Sequence, residues 1–478
     1  MLQLVTALSV TQLLLLITGI YIFYVTISAI LDPLRSVPGP FLARFTRLWY
    51  LFAIYKGNFE LRDIEIHRLY GAIWRVAPGE YSIDDIGAAK TIYGHGKGYV
   101  KAPWYWAFMT PGPGTASLFA DQDPHRHAIN RRKISSLYSM TSLVGYEPAV
   151  NNCIELLTSR FCEIADAGKL FDFQHYLQCY AFDVIGEITF GKRFGFLDLG
   201  EDKEGGFGYI ANWTLQQITA KKQEAKGPNV SEKETTPDFI ARLLRVQEED
   251  PEKITNSDLF MMCTMNIVAG SDTTAISLSS LFYHLMRYPQ AYKKLQDEID
   301  TAARKGRISN PITFKEAQDL PYLQAVIKEA LRKHPAVGLP MQRVVPNASP
   351  ITVAGHTIPP GSSVGINAWV AHQNTSVFGP DASEFRPERW LEYEEQGRNG
   401  EIEKYFLSFG MGSRTCIGKN VSLLEMSKVV PQMLRTFEFV IDESAEERVD
   451  GTGKVVGLES YSRWFVKQKG FMGRVRRR

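Results

Sequence analysis

The sequence predicts a mainly α-helical protein with small β-sheets, preceded by one N-terminal transmembrane helix. Three observations support this prediction: an uncharged apolar N-terminus, long stretches of helical periodicity, and short strand-like pieces bounded by glycine or proline. The strand-like pieces include IWRVAP at 73–78 and ITVAGHTIP at 351–359. Apolar residues recur at three- and four-residue spacing over 148–166, 172–190, 256–288, 289–304, 314–334 and 418–437.

The N-terminal segment 1–31 is predicted to be a membrane anchor. From Leu2 to Leu31 the chain carries no charged residue, and a helix of that length crosses a ~30 Å hydrocarbon core. A cleaved secretory signal is the alternative, but it would have an apolar region of roughly 7–15 residues preceded by positive charge. Arg35, Arg44 and Arg47 follow the span, so the positive-inside rule places the rest of the chain in the cytosol.

The segment 32–40 is predicted to be a proline-rich hinge, because Pro38-Gly39-Pro40 stops any helix that enters it. The composition then excludes several kinds of protein. With 45% hydrophobic and 22% charged residues the chain is typical of folded domains, and a net charge of +2 provides no field for nucleic acid. Five cysteines without a C-x-x-C pair indicate neither a disulfide framework nor a cysteine-built zinc site.

One cysteine stands in a distinctive loop, Phe409-Gly-Met-Gly-Ser-Arg-Thr-Cys416-Ile-Gly418, which is followed by a helical pattern. A cysteine just before a helix N-terminus has its thiolate favoured by the positive end of the helix and by backbone N–H groups. Gly410, Gly412 and Gly418 allow a tight loop that a large planar group can approach. Phe409 can shield the sulfur, and Arg414 supplies a fixed cation for a carboxylate.

This pattern, F-x-x-G-x-R-x-C-x-G, resembles the haem-binding loop of the cytochrome P450 family. The resemblance implies a haem b cofactor with Cys416 as the axial thiolate ligand of its iron. It also implies that Arg414 pairs with a haem propionate and that Phe409, Gly410 and Gly418 surround the cofactor. An inert buried cysteine is the structural alternative.

A second region, 259–286, is a long apolar helical pattern with one charged residue, Asp272. Thr255-Asn-Ser-Asp258 resembles a capping box at its start. A second membrane span is the competing interpretation, but a mid-bilayer carboxylate costs at least ~2.5 kcal/mol, so we predict a buried helix of the soluble body. Gly270 costs ~1 kcal/mol in a helix interior, which indicates a special reason such as room for a ligand.

The segment Ala269-Gly-Ser-Asp-Thr-Thr274 resembles the oxygen-activating groove of the same family. The resemblance implies that Asp272 and Thr273 are its acid–alcohol pair, which passes protons in a dry site. The structural alternative for Thr273 is a hydrogen bond back to a carbonyl one turn earlier in the helix.

Glu329 and Arg332 lie three residues apart and therefore share a helix face. E-x-x-R followed by FRPERW resembles the family pattern in which Arg389 joins these two residues in a buried network. The resemblance implies a structural role behind the haem.

Three further residues match the family's propionate partners. Arg343, in GLPMQRVVP, follows the E-x-x-R helix at the family's spacing. His127 and Arg131 lie four apart, and so on one helix face, in DPHRHAINRRK, which resembles the propionate-binding helix. An ordinary surface histidine is the alternative for His127.

Aromatic residues cluster where family members cover the distal side of the haem. Ligand pockets are mainly apolar, so we expect this cluster to line a substrate pocket, although an ordinary core would show the same residues. The segments YVKAPWYWAF and IWRVAPGEYSIDD are similar to a filamentous-fungal group that includes pisatin demethylase-like and benzoate para-hydroxylase-like enzymes. The lining candidates are Trp104, Tyr105, Phe108, Phe119, Ala269, Val337, Leu339 and Tyr461.

The chain shows no G-x-G-x-x-G after a strand and no flavin module, so electrons are expected from a separate protein. The resemblance implies NADPH–cytochrome P450 reductase as the donor, with cytochrome b5 as an additional one. Arg132, Lys133 and Lys419 could attract an acidic reductase, and solvated charge is the alternative for these three.

The matching segments run from about Pro38 to Phe471 and must converge on one haem, so we predict a single monooxygenase domain over 41–478. The implied function is NADPH- and O2-dependent oxidation of a small lipophilic molecule, in secondary metabolism or detoxification, at the endoplasmic reticulum membrane. A haem-thiolate isomerase or dehydratase that uses no O2 is one alternative. A membrane-bound haem electron carrier or sensor is the other.

Overall fold

The computed structural model describes residues 9–109, 117–200, 206–224, 238–449 and 455–478. Residues 1–8 of the predicted anchor lie outside the described residues. Helices dominate the remainder, as the periodicity predicted. The α-helices are α1 Val10–Leu31, α2 Leu48–Tyr55, α3 Phe59–Tyr70, α4 Ile86–Tyr93, α5 Pro124–Ile134, α6 Met140–Asp166, α7 Phe173–Phe190, α8 Phe196–Leu199, α9 Gly206–Glu224, α10 Phe239–Glu249, α11 Asn256–Arg287, α12 Pro289–Arg304, α13 Phe314–Gln318, α14 Pro321–Lys333, α15 Ala368–Ala371, α16 Thr375–Phe378, α17 Glu388–Glu395, α18 Asn399–Glu403 and α19 Lys419–Thr436.

Short strands form small sheets between the helices. The described part of the chain also contains four short 3-10 helices, at Phe41–Arg44, Pro103–Phe108, Ser135–Tyr138 and Gly412–Arg414. The strands are β1 Ile73–Ala77, β2 Glu80–Ile83, β3 Val100–Lys101, β4 Phe171–Asp172, β5 Arg343–Val344, β6 Ile351–Val353, β7 His356–Ile358, β8 Ser363–Gly365, β9 Phe437–Ile441, β10 Glu447–Val449, β11 Val455–Leu458, β12 Ser460–Ser462, β13 Val466–Gln468 and β14 Met472–Arg477.

Helix α1 is the one described helix that is long and apolar enough to cross a membrane. It has 22 residues with a mean hydropathy of 2.3, and none of its side chains is buried in the rest of the protein. Its first turn is closed by a capping box between Ser9 and Gln12. A fully exposed apolar helix is stable in a bilayer and not in water, which agrees with a membrane anchor.

The segment after α1 packs onto the body of the protein. The helix ends at Leu31, before the Pro-Gly-Pro motif, because Asp32 turns the chain and accepts a hydrogen bond from the Leu34 amide at 2.8 Å. Arg75 of β1 then holds this segment: its guanidinium pairs with Asp32 at 2.6 Å and donates to the Leu34 carbonyl at 2.7 Å. A Cβ on Gly39 would lie 2.7 Å from the Arg75 carbonyl oxygen, so only glycine permits this close approach.

Two predicted helix boundaries differ from the observed ones. Helix α6 begins at Met140, eight residues before the predicted start, and it accommodates Pro148 in its interior. The predicted helix 314–334 is two helices, α13 and α14, since Pro321 cannot continue α13 and instead occupies the first turn of α14.

Helix α11 is the central helix of the body, and it is buried against α7. A Cβ on Gly270 would lie 3.0 Å from the Cδ1 and Cγ1 atoms of Ile185 on α7, so this glycine allows two helices to approach closely. The Asn266 side chain donates to the Thr189 hydroxyl at 2.7 Å one turn away. The structure thus shows a packing reason for Gly270: its missing side chain makes room for a neighbouring helix.

The largest sheet has the strand order β1-β2-β8-β5-β3. Strands β2 and β8 are parallel, and the other neighbours are antiparallel. In this sheet Lys101 of β3 is the direct partner of Arg343 of β5, so two cations stand side by side. A second sheet, β4-β14-β9, places the C-terminal strand between two others.

Deletion of residues 1–31 should release most of the protein from membranes and leave a folded body that still takes up the expected haem. The residues of the cysteine loop and the cation-bearing strands lie well beyond the deleted segment. Some attachment should remain through the exposed side chains of Phe41, Leu42, Leu51 and Phe52. Sedimentation of the truncated and full-length proteins, with haem content by absorbance, measures both effects. A truncated chain that folds but takes up no haem would contradict the predicted single domain.

Candidate haem and oxygen-activation site

The cysteine loop turns sharply just before helix α19. The Cys416 amide donates to the Phe409 carbonyl at 2.8 Å, which closes the loop, and Gly418 occupies the N-cap of α19. Gly410 has a φ of 69°, in the left-handed region that favours glycine. Gly412 is required for a different reason, since a Cβ there would lie 1.8 Å from the Tyr93 carbonyl oxygen.

Cys416 lies two residues before this N-cap. Its side chain has exposed surface, yet protein surrounds it closely enough that burial raises the pKa of the thiol. The backbone amides of Gly418 and Lys419 and the charge of Arg131 act in the opposite direction. A thiol that is accessible but largely shielded from water, with N–H groups and a cation beside it, is suited to act as a sulfur ligand for a metal.

Cationic side chains gather around one position near this loop. Lys101 and Arg343 come from adjacent strands, Arg414 from the loop, and His127 and Arg131 from successive turns of α5. Burial is the main cause that lowers the pKa of each of four of these groups, and the neighbouring cations lower it further for Lys101, His127 and Arg414. The pKa falls to about 3 for His127 and to about 10 for Arg414, and it is lowered for Arg131 and well below the ordinary value for Lys101.

The hydrogen bonds from Arg414 and Arg343 go to backbone carbonyl oxygens and not to carboxylates. Arg414 donates to the Asp121 carbonyl at 2.9 Å, and Arg343 donates to the Gln342 carbonyl at 3.0 Å. The buried Asp121 carboxylate is already paired with Arg126 at 2.7 Å. Within the described residues neither Arg343, Arg414 nor Lys101 has a carboxylate partner, so a dianion such as the two propionates of haem fits this cluster.

Lys101 is a member of this cluster that sequence reasoning missed. It is buried, it donates to the Phe119 carbonyl, and it lies 4.9 Å from the centre of the Tyr105 ring. The sequence offered one signal: Lys101 is a single charge between the aromatic residues Tyr99 and Trp104, and lysine is seldom buried without a special reason. Only the pairing of β3 with β5 brings it beside Arg343.

Helix α11 presents the predicted acid and alcohol in different directions. The Thr273 hydroxyl donates to the Ala269 carbonyl at 2.7 Å, which is the back-bond that the sequence left open. Ala269 is exposed, whereas the part of α11 that follows Thr273 is mostly buried. The next residue, Thr274, donates to the Ser422 hydroxyl of α19 at 3.2 Å, which links this turn of α11 to the helix that follows Cys416.

Glu329, Arg332 and Arg389 form a fully buried network. Arg332 donates to both oxygens of Glu329, at 2.9 and 2.7 Å, and Arg389 donates to one of them at 3.0 Å. Trp390, which the sequence did not suggest, donates its indole N–H to the same carboxylate at 2.9 Å. Burial alone would raise the pKa of Glu329, but the two arginines outweigh it and hold the pKa at about 2.

The network continues to the cysteine loop through His372. The His372 ring lies 2.9 Å from the Arg332 carbonyl through Nδ1, and its Nε2 accepts a hydrogen bond from the Leu407 amide at 2.9 Å. Burial lowers the pKa of His372 to about 3, so the ring is neutral and can donate with one nitrogen and accept with the other. Leu407 lies two residues before Phe409, so the network fixes the start of the loop.

The aromatic lining candidates meet around Trp464, a residue that the sequence did not suggest. Its ring centre lies 5.0 Å from Trp104, 6.5 Å from Tyr105, 5.8 Å from Phe108 and 5.4 Å from Phe119. These are tilted or edge-to-face contacts, the arrangements that aromatic pairs prefer. The structure therefore gathers four of the predicted residues into one wall, with Trp464 as its centre.

The remaining lining candidates lie in different places. Leu339 is buried in the same apolar cluster as Trp464, and Val337 pairs with Phe465 in an isolated bridge. Tyr461 is not brought to the aromatic wall: its ring packs over Gly57 on the protein surface. Alternate residues of a strand face opposite ways, and in β12 it is Ser460 and Ser462 that point inward.

Known proteins resemble this chain over most of its length. The family described as Cytochrome P450 matches residues 38–205 and 209–462. Pisatin demethylase of Fusarium vanettenii is 37% identical over 448 residues, which covers 86% of each chain. The Cytochrome P450 monooxygenase cicH of Emericella nidulans is 35% identical over an alignment of 500 positions, gaps included, which covers 97% of each chain. A Cytochrome P450 monooxygenase of Aspergillus terreus is 36% identical over 476 aligned residues, which covers 89% of this chain and 94% of the relative.

The helical fold with small sheets and the cysteine loop define a haem-thiolate protein. The chain belongs to the cytochrome P450 family, and its enzyme class is that of a P450 monooxygenase. Membership implies a haem iron with a thiolate ligand.

Glu329→Gln should strongly lower the thermal midpoint and the yield of folded protein. The amide keeps the shape but leaves two buried guanidinium groups without their counter-charge, and breaking a buried ion pair costs about 3–5 kcal/mol. Glu401→Gln is the matched control, since Glu401 pairs with Arg398 on the exposed surface. Thermal unfolding followed by circular dichroism compares the two. Equal midpoints for both variants would show that the network does not support the fold.

Proposed function

We propose that this chain is an NADPH- and O2-dependent haem-thiolate monooxygenase that oxidises a small lipophilic molecule. The observation that carries the proposal is the position of Cys416. Its side chain is exposed yet closely surrounded by protein, and it lies two residues from Arg414, a cation that lacks a carboxylate partner among the described residues. A thiolate, unpaired cations and an apolar wall together suit a planar, dianionic, iron-bearing cofactor and an apolar substrate.

The cofactor's contacts follow from these groups. Cys416 would hold the iron, and Lys101, His127, Arg131, Arg343 and Arg414 would bind the two propionates. Thiolate-ligated haem, when bound, supplies the activation of O2 and the insertion of one oxygen atom into substrate. Burial raises the pKa of the Cys416 thiol, and the neighbouring helix start and Arg131 act against that rise.

The protons of the reaction would pass through Asp272 and Thr273. Asp272 is partly exposed, so it can exchange protons with solvent, whereas Thr273 bonds to the exposed Ala269 one turn earlier on α11. The back-bond of Thr273 to Ala269 uses the hydroxyl hydrogen and leaves the oxygen lone pairs free to accept a proton. Thr273 can therefore act as the last protein group of the path.

The substrate would lie against the wall formed by Trp104, Tyr105, Phe108, Phe119 and Trp464. Large aromatic surfaces favour an apolar molecule with few polar groups. One relative is named for the demethylation of pisatin and others for monooxygenation, so oxidation in secondary metabolism or detoxification is the setting we propose.

Electrons would come from NADPH through a separate flavoprotein, NADPH–cytochrome P450 reductase, with cytochrome b5 as an additional donor. Arg132 and Lys419 are exposed near the cysteine loop and can attract an acidic partner. Lys133 contributes less, because it pairs with Asp258 at 3.5 Å and is mostly covered. Helix α1 would anchor the enzyme in the endoplasmic reticulum membrane with its body in the cytosol.

Two other functions would use the same cofactor. A haem-thiolate isomerase or dehydratase needs neither O2 nor a reductase, and an acid and a hydroxyl on adjacent residues of α11 would then have no proton to deliver. An electron carrier or sensor would have no use for the aromatic wall around Trp464. The presence of both features favours the monooxygenase.

Cys416→His should convert the reduced, carbon-monoxide-bound Soret band from the thiolate type to the histidine type. Imidazole can replace the sulfur as an iron ligand but donates less electron density. Cys162→Ser, which changes a partly exposed cysteine on α6, is the control and should leave the thiolate band unchanged. A thiolate band that persists in Cys416→His would show that Cys416 is not the iron ligand.

Thr273→Ala should leave haem content, the substrate-induced spectral shift and NADPH consumption largely intact while product falls and hydrogen peroxide rises. Loss of the hydroxyl's back-bond costs at most about 1–3 kcal/mol, so the fold should survive. Thr158→Ala removes an equivalent back-bond, to Ile154 at 2.7 Å on α6, and should change nothing. The ratio of product to NADPH oxidised is the measurement. An unchanged, non-zero ratio in Thr273→Ala would remove Thr273 from the proton path, and no NADPH consumption in wild type would favour the isomerase.

A further inference from the structure

Both oxygens of Asp272 are occupied by groups from other elements. The Gln178 amide of α7 donates to Oδ1 at 2.7 Å, and the Lys467 ammonium of β13 lies 2.8 Å from Oδ2. Nothing in the sequence indicated either partner. The carboxylate is thus held away from the neighbouring Thr273, whose hydroxyl is bonded to Ala269.

Lys467 is held in place by its neighbours on the strand. The next residue, Gln468, is buried and donates its amide to the Ile276 carbonyl of α11 at 3.0 Å, one turn beyond Asp272. The residue before it, Val466, donates its amide to the Ala336 carbonyl at 2.9 Å. Strand β13 is therefore fixed against α11, and the Lys467 side chain extends from a rigid base.

Gln178 is fixed in a similar way from the other side. The close approach of α7 and α11 at Gly270 leaves little freedom between the two helices. Gln178 is buried, and its carbonyl oxygen accepts a hydrogen bond from the Gln174 amide at 3.3 Å one turn earlier. Its amide group is therefore oriented with the N–H toward Asp272.

The site has one open side. The side chain of Asp272 is 20% exposed and that of Lys467 is 46% exposed, so water reaches the ion pair. A half-exposed ion pair is weakly stabilising and can open at small cost. Adjacent residues of a helix face different directions, so the carboxylate must rotate before it can reach the Thr273 hydroxyl.

We propose, on the basis of the function above, that Lys467 and Gln178 are positioning residues that hold the Asp272 carboxylate where it takes up a proton from solvent. Protonation removes the negative charge that attracts Lys467, so uptake of the proton itself releases the side chain to rotate toward Thr273. One proton moves from solvent to the Asp272 carboxylate and then to a lone pair of the Thr273 oxygen, which passes it on toward the substrate while its own hydrogen stays bonded to the Ala269 carbonyl. Lys467 keeps its protons, and the returning carboxylate pairs with it again.

The test compares Lys467→Met with Lys469→Met in full-length, haem-loaded protein with reductase and a substrate identified by its spectral shift. Lys469 is the matched control, because it lies two residues further along and pairs with the exposed Glu446 at 3.3 Å. Lys467→Met should lower the rate of product formation several-fold and enlarge its solvent deuterium isotope effect. Lys469→Met should change neither, and Lys467→Arg should restore both because it keeps the charge.

A double-variant cycle separates positioning from general damage. If Lys467 acts through the acid, Lys467→Met should have no further effect on rate or isotope effect in an Asp272→Asn background. The thermal midpoint supplies a measurement independent of turnover: Lys467→Met should lower it in the wild-type background and not in Asp272→Asn. Additive losses in the two variants, or a Lys467→Met enzyme with wild-type rate and isotope effect, would overturn the proposal. Either result leaves the Cys416 test of the monooxygenase untouched.

Discussion

The arrangement of the cysteine loop depends on the ion pairs and hydrogen bonds of the buried Glu329 carboxylate. Glu329 is fully buried, and its carboxylate accepts hydrogen bonds from Arg332, Arg389 and the Trp390 indole. A buried ion pair adds little net stability, but removal of one partner is costly, so such a network enforces one arrangement of the chain. His372 extends that arrangement to Leu407 at the start of the cysteine loop. The position of Cys416 thus follows from a charge buried far from it in sequence.

In the cation cluster, by contrast with the Glu329 network, buried positive charges face one another. Lys101, Arg343 and Arg414 are brought together without a carboxylate partner among the described residues, and their mutual repulsion opposes folding of this region. A dianionic cofactor, as we propose for haem at this cluster, would relieve that repulsion and couple its own binding to ordering of the region.

Close backbone approach explains the glycines that matter most. Gly270 allows α11 to meet Ile185 of α7, and Gly412 allows the cysteine loop to pass the Tyr93 carbonyl. On sequence grounds both glycines were candidates for room beside a ligand, and in the structure the absent Cβ of each makes room for a protein neighbour. The consequence is a close pairing of α7 with α11, which places the Gln178 amide against Asp272. Helix packing therefore sets the environment of Asp272.

The sequence by itself determined the features that depend on local order. The uncharged run that becomes α1, the helical periodicities and the cysteine just before α19 are properties of neighbouring residues, so they could be predicted. Tertiary structure alone decided which distant side chains meet. Lys101 joins Arg343 only through the pairing of β3 with β5, and Trp464 rather than Tyr461 reaches the aromatic wall because of the orientation of the β12–β13 hairpin. Contacts between residues far apart in the chain are set by packing of the whole fold, and no local pattern encodes them.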